Sequence, residues 1–295
     1  MVFVTGGTGY LGRRVLALLQ EHNIAIAALC HATTSDVSGV RWVRGDIRHA
    51  SGIVAAMEGA DTVIHLVGVI READDATFAA INVAGTANVA AAAKRAGVRR
   101  LVYCSALGAA PDPRYRYTRS KWQGEQAVQG SGVPFTILRP SVLFGPGGGL
   151  VDRLVQSIAM SPPGMVVLPG GGRARFSPLA ADDAARCLVQ AALDDSFQGK
   201  VLELGGPEQL SYAEMMRQLL EVRGESRVGL PLPLWLLRVI VPGMGWVLKD
   251  PPVTPTELRQ LDFDNIVPPD AVQRQFGFAP QRFQDGIAYI GRHTG

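Results

Sequence analysis

The order of apolar and polar positions divides the first half of this 295-residue chain into two alternating kinds of run. One kind is short, continuous and β-prone: Met1 to Val4, Ile24 to Cys30, Val40 to Val43, Thr62 to Leu66, Arg100 to Cys104 and Phe135 to Leu138. The other carries apolar residues at helical spacing: Val15 to Leu19, Ile53 to Met57, the alanine-rich stretch from Phe78 to Ala96 closed by Gly97, and Lys121 to Val128. Continuous apolar strands alternating with helices predict an α/β fold, a doubly wound parallel sheet covered on both faces. Its core is expected over residues 1–140, rejoined by segments near 166–205 with strands at Val166 and Val201. Composition shifts after Pro140, where Gly145-Pro146-Gly147-Gly148-Gly149 opens a region richer in proline and glycine. Residues 141–295 are therefore expected to supply the remainder, a smaller C-terminal lobe on the substrate or partner side. Within it Met215, Met216, Leu219 and Leu220 recur at helical spacing and read as core.

Composition narrows the function classes. Hydrophobic residues make up 47% and charged residues 19%, enough apolar material for a sizeable core. A formal net charge of +3 without a long basic run excludes a nucleic-acid stripe. The short clusters Arg99-Arg100 and Arg114 to Arg119 read as solvated surface. Cys30, Cys104 and Cys187 are odd in number and widely spaced, which argues against a disulfide framework or a zinc site and for a reducing, cytoplasmic setting. No secretory signal is read, because the first strand-like run begins at Met1. Leu230 to Leu248 carries one charge, Arg238, but Pro231, Pro233, Pro242, Gly243 and Gly245 interrupt it. Short helices are expected there rather than a span. They would form either a membrane-surface or protein-complex contact at the inner face of a membrane, or a plain buried element.

The first chemical signal lies between the first strand and the first helix. Thr5-Gly6-Gly7-Thr8-Gly9-Tyr10-Leu11-Gly12-Arg13 is a glycine-rich turn in the context that a dinucleotide fingerprint requires. Gly6 suits the tight turn, Gly9 lets backbone approach a pyrophosphate, and Gly12 lets the helix lie close to the strand. Gly6, Thr8, Gly9, Tyr10, Leu11, Gly12 and Arg13 are thus candidate cofactor-binding residues of a Rossmann sheet. The second strand ends Ala28-Leu29-Cys30-His31-Ala32, with no carboxylate before Asp36 to hold a ribose 2′-hydroxyl. That absence removes a repulsion against a 2′-phosphate, and His31, Arg13 and Arg14 are nearby cations. NADP(H) is favoured over NAD(H), against the plainer reading of His31 as a surface loop residue.

A second signal is Tyr117-Thr118-Arg119-Ser120-Lys121, a tyrosine and a lysine four apart at a helix start, with Ser105 just past the fifth strand. Residues four apart share a helix face, so the phenol and the ammonium can converge on one reacting centre. A lysine charge is expected to lower the phenol from its usual value near ~10. Tyr117 would then exchange a proton with a substrate oxygen, Lys121 would orient a cofactor ribose, and Ser105 would donate a hydrogen bond to the same oxygen. His65, ending an apolar strand, reads as a satisfied core histidine. Asp182-Asp183 reads as a helix N-terminus rather than a metal pair, and no metal site is expected.

These motifs together resemble the short-chain dehydrogenase/reductase superfamily, and the Gly6-x-x-Gly9-x-x-Gly12 spacing its extended or atypical branch. The resemblance implies further cofactor contacts. Asp46 and Ile47 would lie beside the adenine, Leu66, Val67 and Gly68 under the ribose and pyrophosphate, and Pro140 and Val142 against the nicotinamide. Asn82 matches a structural asparagine of the branch. Val102 to Ala109, the Tyr-x-Arg-Ser-Lys-x-x-x-Glu run ending at Glu125, and the apolar segment from Pro231 resemble the complex I accessory-subunit-like group, in which His31 stands where relatives often carry Arg. Three functions follow as expectations. The first is hydride transfer between a nicotinamide and a carbonyl or alcohol of a small, apolar or quinone-like substrate. The second is a non-catalytic, NADPH-loaded accessory or assembly protein of a quinone-linked membrane complex. The third is a sugar-nucleotide epimerase or dehydratase.

Overall fold

A computed structural model describes residues 1–31, 34, 37–247 and 253–293. Ala32 and Asp36, invoked above, and Leu248, the end of the apolar segment, lie outside the described residues. The chain divides into two compact units, Met1–Pro140 with Ala181–Glu203, and Ser141–Ala180 with Leu204–Gly295.

The first unit is built on a parallel sheet of seven strands. In chain order its elements are β1 (Val2–Thr5), α1 (Tyr10–Glu21), β2 (Ile26–Cys30), β3 (Val40–Arg44), α2 (Ala50–Ala56), β4 (Thr62–His65), α3 (Phe78–Arg95), β5 (Arg100–Cys104), α4 (Arg116–Gly130), β6 (Phe135–Pro140), α5 (Ala181–Leu193) and β7 (Val201–Leu204). Strand order is β7-β6-β5-β4-β1-β2-β3. The winding reverses beside β1, which pairs with β2 on one side and β4 on the other. The loops that follow β1 and β4 therefore flank the switch point where open α/β sheets bind ligands. β1, β2 and β4 are buried along their whole length, as strands covered on both faces must be. At the β3 edge, by contrast, Arg41 and Arg44 are exposed, charges that discourage further pairing.

Phe3, Ile53, Met57, Val63, Val89, Leu101, Tyr103 and Ile137 belong to one buried cluster of this unit. Two sequence expectations change here. Arg100 is not solvated surface: it is 8% exposed and donates to the Ala192 carbonyl at 2.7 Å, satisfying the C-terminal end of α5. The Val166 strand, expected to rejoin this sheet, instead pairs with Val228–Leu232 in a separate two-stranded ribbon. Pro169 and Pro231 lie in that ribbon, and proline lacks the N–H that a central strand must donate. The Val201 strand does join the sheet, as its edge.

The second unit has its own core, in which Met215, Met216, Leu219 and Leu220 pack with Val151, Leu154 and Phe283, as their spacing predicts. Its Phe144 and Phe283 rings meet edge to face at 5.1 Å.

One close approach fixes α4 against β5. A β-carbon at Gly124 would sit 2.6 Å from the Tyr103 hydroxyl oxygen and 2.9 Å from the Asn82 carbonyl oxygen. Gly124→Ala should therefore destabilise the first unit by about 1–3 kcal/mol through overpacking. Combining it with Tyr103→Phe should recover part of that loss in urea unfolding, because one of the two clashing atoms is then gone; strict additivity would refute the contact.

Candidate active site

The turn after β1 has the geometry of an anion cradle. Gly6 takes a φ of 78°, in the left-handed region that glycine alone enters without strain. A β-carbon at Gly12 would lie 2.0 Å from the Gly6 carbonyl oxygen, so the first turn of α1 can rest on the loop only with glycine there. α1 begins at Gly9 with no side-chain cap and no acidic residue in its first turn. Its N-terminal amides and dipole thus meet no acidic side chain of that turn, which fits a pyrophosphate. Arg13 is exposed and bonds the Thr8 carbonyl at 3.0 Å. Arg14 is engaged elsewhere: it lies over the Tyr10 ring and pairs with Asp182 at 2.9 Å in the first turn of α5, so it drops out as a phosphate ligand. Leu11 is half-buried.

At the other end of β2, His31 stands with its side chain 70% exposed, 3.4 Å from the Asp46 carboxylate. Arg48 grips the same carboxylate through Nε at 2.8 Å and its backbone amide at 2.9 Å, and holds the Asp46 carboxyl below the usual carboxylate range. Arg48 also bonds Asp75. Sequence reasoning missed Arg48, although its position two residues after Asp46 is a signal for such a clamp. Ile47 turns its side chain into the core, against Gly85.

The loop after β4 crosses directly over the glycine turn. Leu66 donates its amide to the Thr5 carbonyl at 3.1 Å, and the Val67 amide nitrogen is 3.0 Å from where a Gly6 β-carbon would be. Asn82, fully buried in the π-helical first half of α3, bonds both the amide and the carbonyl of Val69 at 2.9 Å and donates to the Ser120 hydroxyl at 2.9 Å. It ties this loop to α4, the structural part its resemblance implies. Exposed Gly68 leaves room for Lys121, whose Nζ is 3.3 Å from the glycine's missing β-carbon.

Lys121 is 4% exposed; its Nζ donates to the Cys104 carbonyl at 2.8 Å and lies 4.5 Å above the centre of the Tyr103 ring. Burial disfavours its charge, but Tyr103, Tyr117 and Cys104 around it outweigh that penalty and keep it protonated to a higher pH than a solvated lysine. Tyr117, half-buried one turn earlier on α4, differs from the sequence expectation. Burial pushes its phenol up, and the Lys121 charge only partly opposes that shift. At neutral pH it is a proton donor.

Ser105 also differs. It is 4% exposed and donates its hydroxyl hydrogen to Glu125, a fully buried carboxylate held by Arg139 through Nε at 2.9 Å and a terminal nitrogen at 2.6 Å. That hydrogen is spent on the ion pair rather than on a substrate oxygen. Pro140 closes β6 and accepts the Leu107 amide at 2.9 Å. Val142 belongs to the second unit, where its carbonyl accepts the Leu179 amide at 3.0 Å. Among the described residues no group of three or more His, Cys, Asp or Glu side chains could hold a metal ion.

Residues 2–205 match the NAD dependent epimerase/dehydratase family. The chain belongs to that family. It is an NAD(P)-binding protein with a Rossmann-type fold. It is 29% identical over 249 residues to an NAD(P)H azoreductase of Xenophilus azovorans, covering 83% of this chain and 82% of that one. It is 24% identical over 276 residues to the mitochondrial NADH-ubiquinone oxidoreductase 40 kDa subunit of Neurospora crassa, covering 91% and 72%. Among solved structures, the NADPH-dependent quinone oxidoreductase of Escherichia coli complexed with NADPH superposes with a TM-score of 0.79 at 19% identity, covering 98% of this chain and 99% of that one.

His65 ends β4 beneath the site. It is fully buried, 2.6 Å from the Thr5 hydroxyl through Nδ1 and 3.0 Å from the Thr86 hydroxyl through Nε2. Burial, with the Lys121 charge adding to it, lowers its pKa to about 3. The unfolded chain, with histidine near ~6.5, takes up this proton first as pH falls. Its contribution to stability is therefore complete above about pH 6.5 and is lost by about 1.4 kcal/mol per pH unit from there toward pH 3. Urea unfolding at a series of pH values should show this slope, and His65→Gln should flatten it while lowering stability at neutral pH.

Proposed function

We propose that this protein is an NAD(P)H-dependent reductase that acts on a carbonyl or quinone-like acceptor, with NADP(H) as the preferred cofactor. The observation that carries this reading is a buried Lys121, held by the Cys104 carbonyl, one turn after Tyr117 on α4. The reduced nicotinamide, when bound, supplies the hydride. The turn from Gly6 to Gly12 would hold the pyrophosphate, Asp46 the adenine side, and Lys121 the ribose on the nicotinamide side. Tyr117 then gives the proton from its phenol oxygen to the oxygen of the acceptor, and Lys121 stabilises the phenolate left behind. An uncharged phenol at neutral pH suits reduction better than the reverse oxidation, which needs the phenolate. The azoreductase likeness supports a reductive role.

Tyr117→Phe should lower turnover with NADPH and a quinone or ketone acceptor by about 10²–10⁴-fold while leaving NADPH affinity unchanged. Unaltered turnover would remove Tyr117 from the chemistry.

The NADP(H) preference rests on His31, exposed at the end of β2, and on an Asp46 carboxylate already neutralised by Arg48. Fluorescence titration should show tighter binding of NADPH than NADH, and His31→Asp should reverse the order. Tighter NADH binding by the unmodified protein would refute the preference.

A second reading is favoured by one feature of the second unit. On the helix Leu234–Val247, Trp235, Val239 and Ile240 are 66%, 72% and 45% exposed. Among the described residues no helix is long and apolar enough to cross a membrane, so this face suits surface contact only. Under this reading the protein is a cytoplasmic, peripheral accessory subunit whose cofactor stabilises the fold by mass action, in keeping with its likeness to a subunit of NADH-ubiquinone oxidoreductase. Bound NADPH that stays reduced across an acceptor panel would favour it over the reductase.

A further inference from the structure

Tyr103 has no part in the site as the sequence presents it, yet it touches both β4 and α4. It is fully buried on β5, one of the largest side chains with no exposure at all. One face of its ring stacks on His65, with centroids 5.4 Å apart and planes 18° from parallel. The Lys121 ammonium lies 4.5 Å from the ring centre. Its hydroxyl lodges where Gly124 lacks a side chain, and among the described residues it makes no hydrogen bond of ordinary geometry. The ammonium thus lies over the ring, and the hydroxyl is near enough to favour the lysine's charge as well.

A lysine with three N–H donors in a nearly closed site needs compensation for lost water. The Cys104 carbonyl supplies one acceptor at 2.8 Å. Among the described residues no carboxylate is hydrogen-bonded or ion-paired to Lys121; Glu125, one turn on along α4, is taken by Arg139 and Ser105. An aromatic face within about 6 Å offers a favourable quadrupole to a desolvated cation.

Resting on the reading of Tyr117 and Lys121 above, we infer that Tyr103 is a positioning residue, a cation–π floor that keeps Lys121 charged and aimed at Tyr117. The groups facing Lys121 are the Tyr103 ring and hydroxyl, the Tyr117 phenol, the Cys104 thiol and carbonyl, and the neutral imidazole of His65 stacked on the ring. Removing the ring leaves burial less opposed, so the ammonium should lose its proton more easily and Tyr117 should become a weaker acid.

The test reads the lysine itself, without turnover. The chain has only Lys94, Lys121, Lys200 and Lys249, so carbon-13 labelling of lysine gives four resolvable side-chain signals, with Lys121 assigned through Lys121→Arg. In the 295-residue protein, Tyr103→Phe keeps the ring and should move the Lys121 titration less than Tyr103→Leu, which should raise its acid dissociation constant about tenfold. Pentafluorophenylalanine at position 103 keeps the ring shape and inverts its quadrupole, so it should act like Tyr103→Leu even if the leucine variant does not fold. A Lys121 titration unmoved by the fluorinated ring would overturn the inference, as would a Tyr103→Phe shift as large as that of the fluorinated ring. Because the readout is a protonation state, a protein that never turns over still answers it. Loss of turnover in Tyr117→Phe tests the reductase reading separately.

Discussion

An ammonium group closed off from water is the constraint around which the first unit is arranged. Lys121 is held there by the Cys104 carbonyl and the face of the Tyr103 ring, which replace part of the water it has lost. Placing that carbonyl requires β5 to end at Cys104, and placing the ring requires Gly124 on the facing helix. At Gly68 the loop after β4 passes close beside Nζ, which a β-carbon would meet at 3.3 Å, and Asn82 ties that loop to α4. Several residues that touch no ligand are thus fixed by the need to host one charge.

The same economy explains the ion pair of Glu125 with Arg139. A carboxylate with no exposure beside a buried lysine would be a strong competitor for its charge. Arg139 and Ser105 occupy both of its oxygens, so Lys121 is left to the ring and the carbonyl. A buried pair of this kind adds little net stability over apolar residues of similar size, but losing one partner leaves an uncompensated charge. Its value is specificity of arrangement rather than strength.

Much of this was legible in the chain. The glycine spacing, the tyrosine and lysine four apart, and the continuous apolar strands each follow from local geometry, and the structure puts them in one unit. What stayed hidden depends on distant partners. Ser105 carries no local sign that its hydrogen goes to a carboxylate twenty positions on. Arg100 looked like surface because nothing nearby in sequence announces the α5 carbonyls it satisfies. Val166 looked like a sheet strand because β propensity cannot tell a central position from a two-stranded ribbon, although its neighbouring prolines could have argued for the latter. Net proton affinity was misjudged for Tyr117 because burial, invisible in sequence, outweighs the adjacent charge.

The discontinuity of the first unit has a consequence for how the chain is made. Met1–Pro140 contains the cofactor turn and the Tyr117–Lys121 pair, but the edge strand β7 and the carbonyls that receive Arg100 come from Ala181 onward. On the ribosome, at about 5–20 residues per second, the nascent unit waits several seconds with β6 as an open edge and a guanidinium without its acceptors. An open apolar edge is a template for pairing with another chain. Ligand binding or a chaperone during that interval would guard the strand until its own neighbour is synthesised.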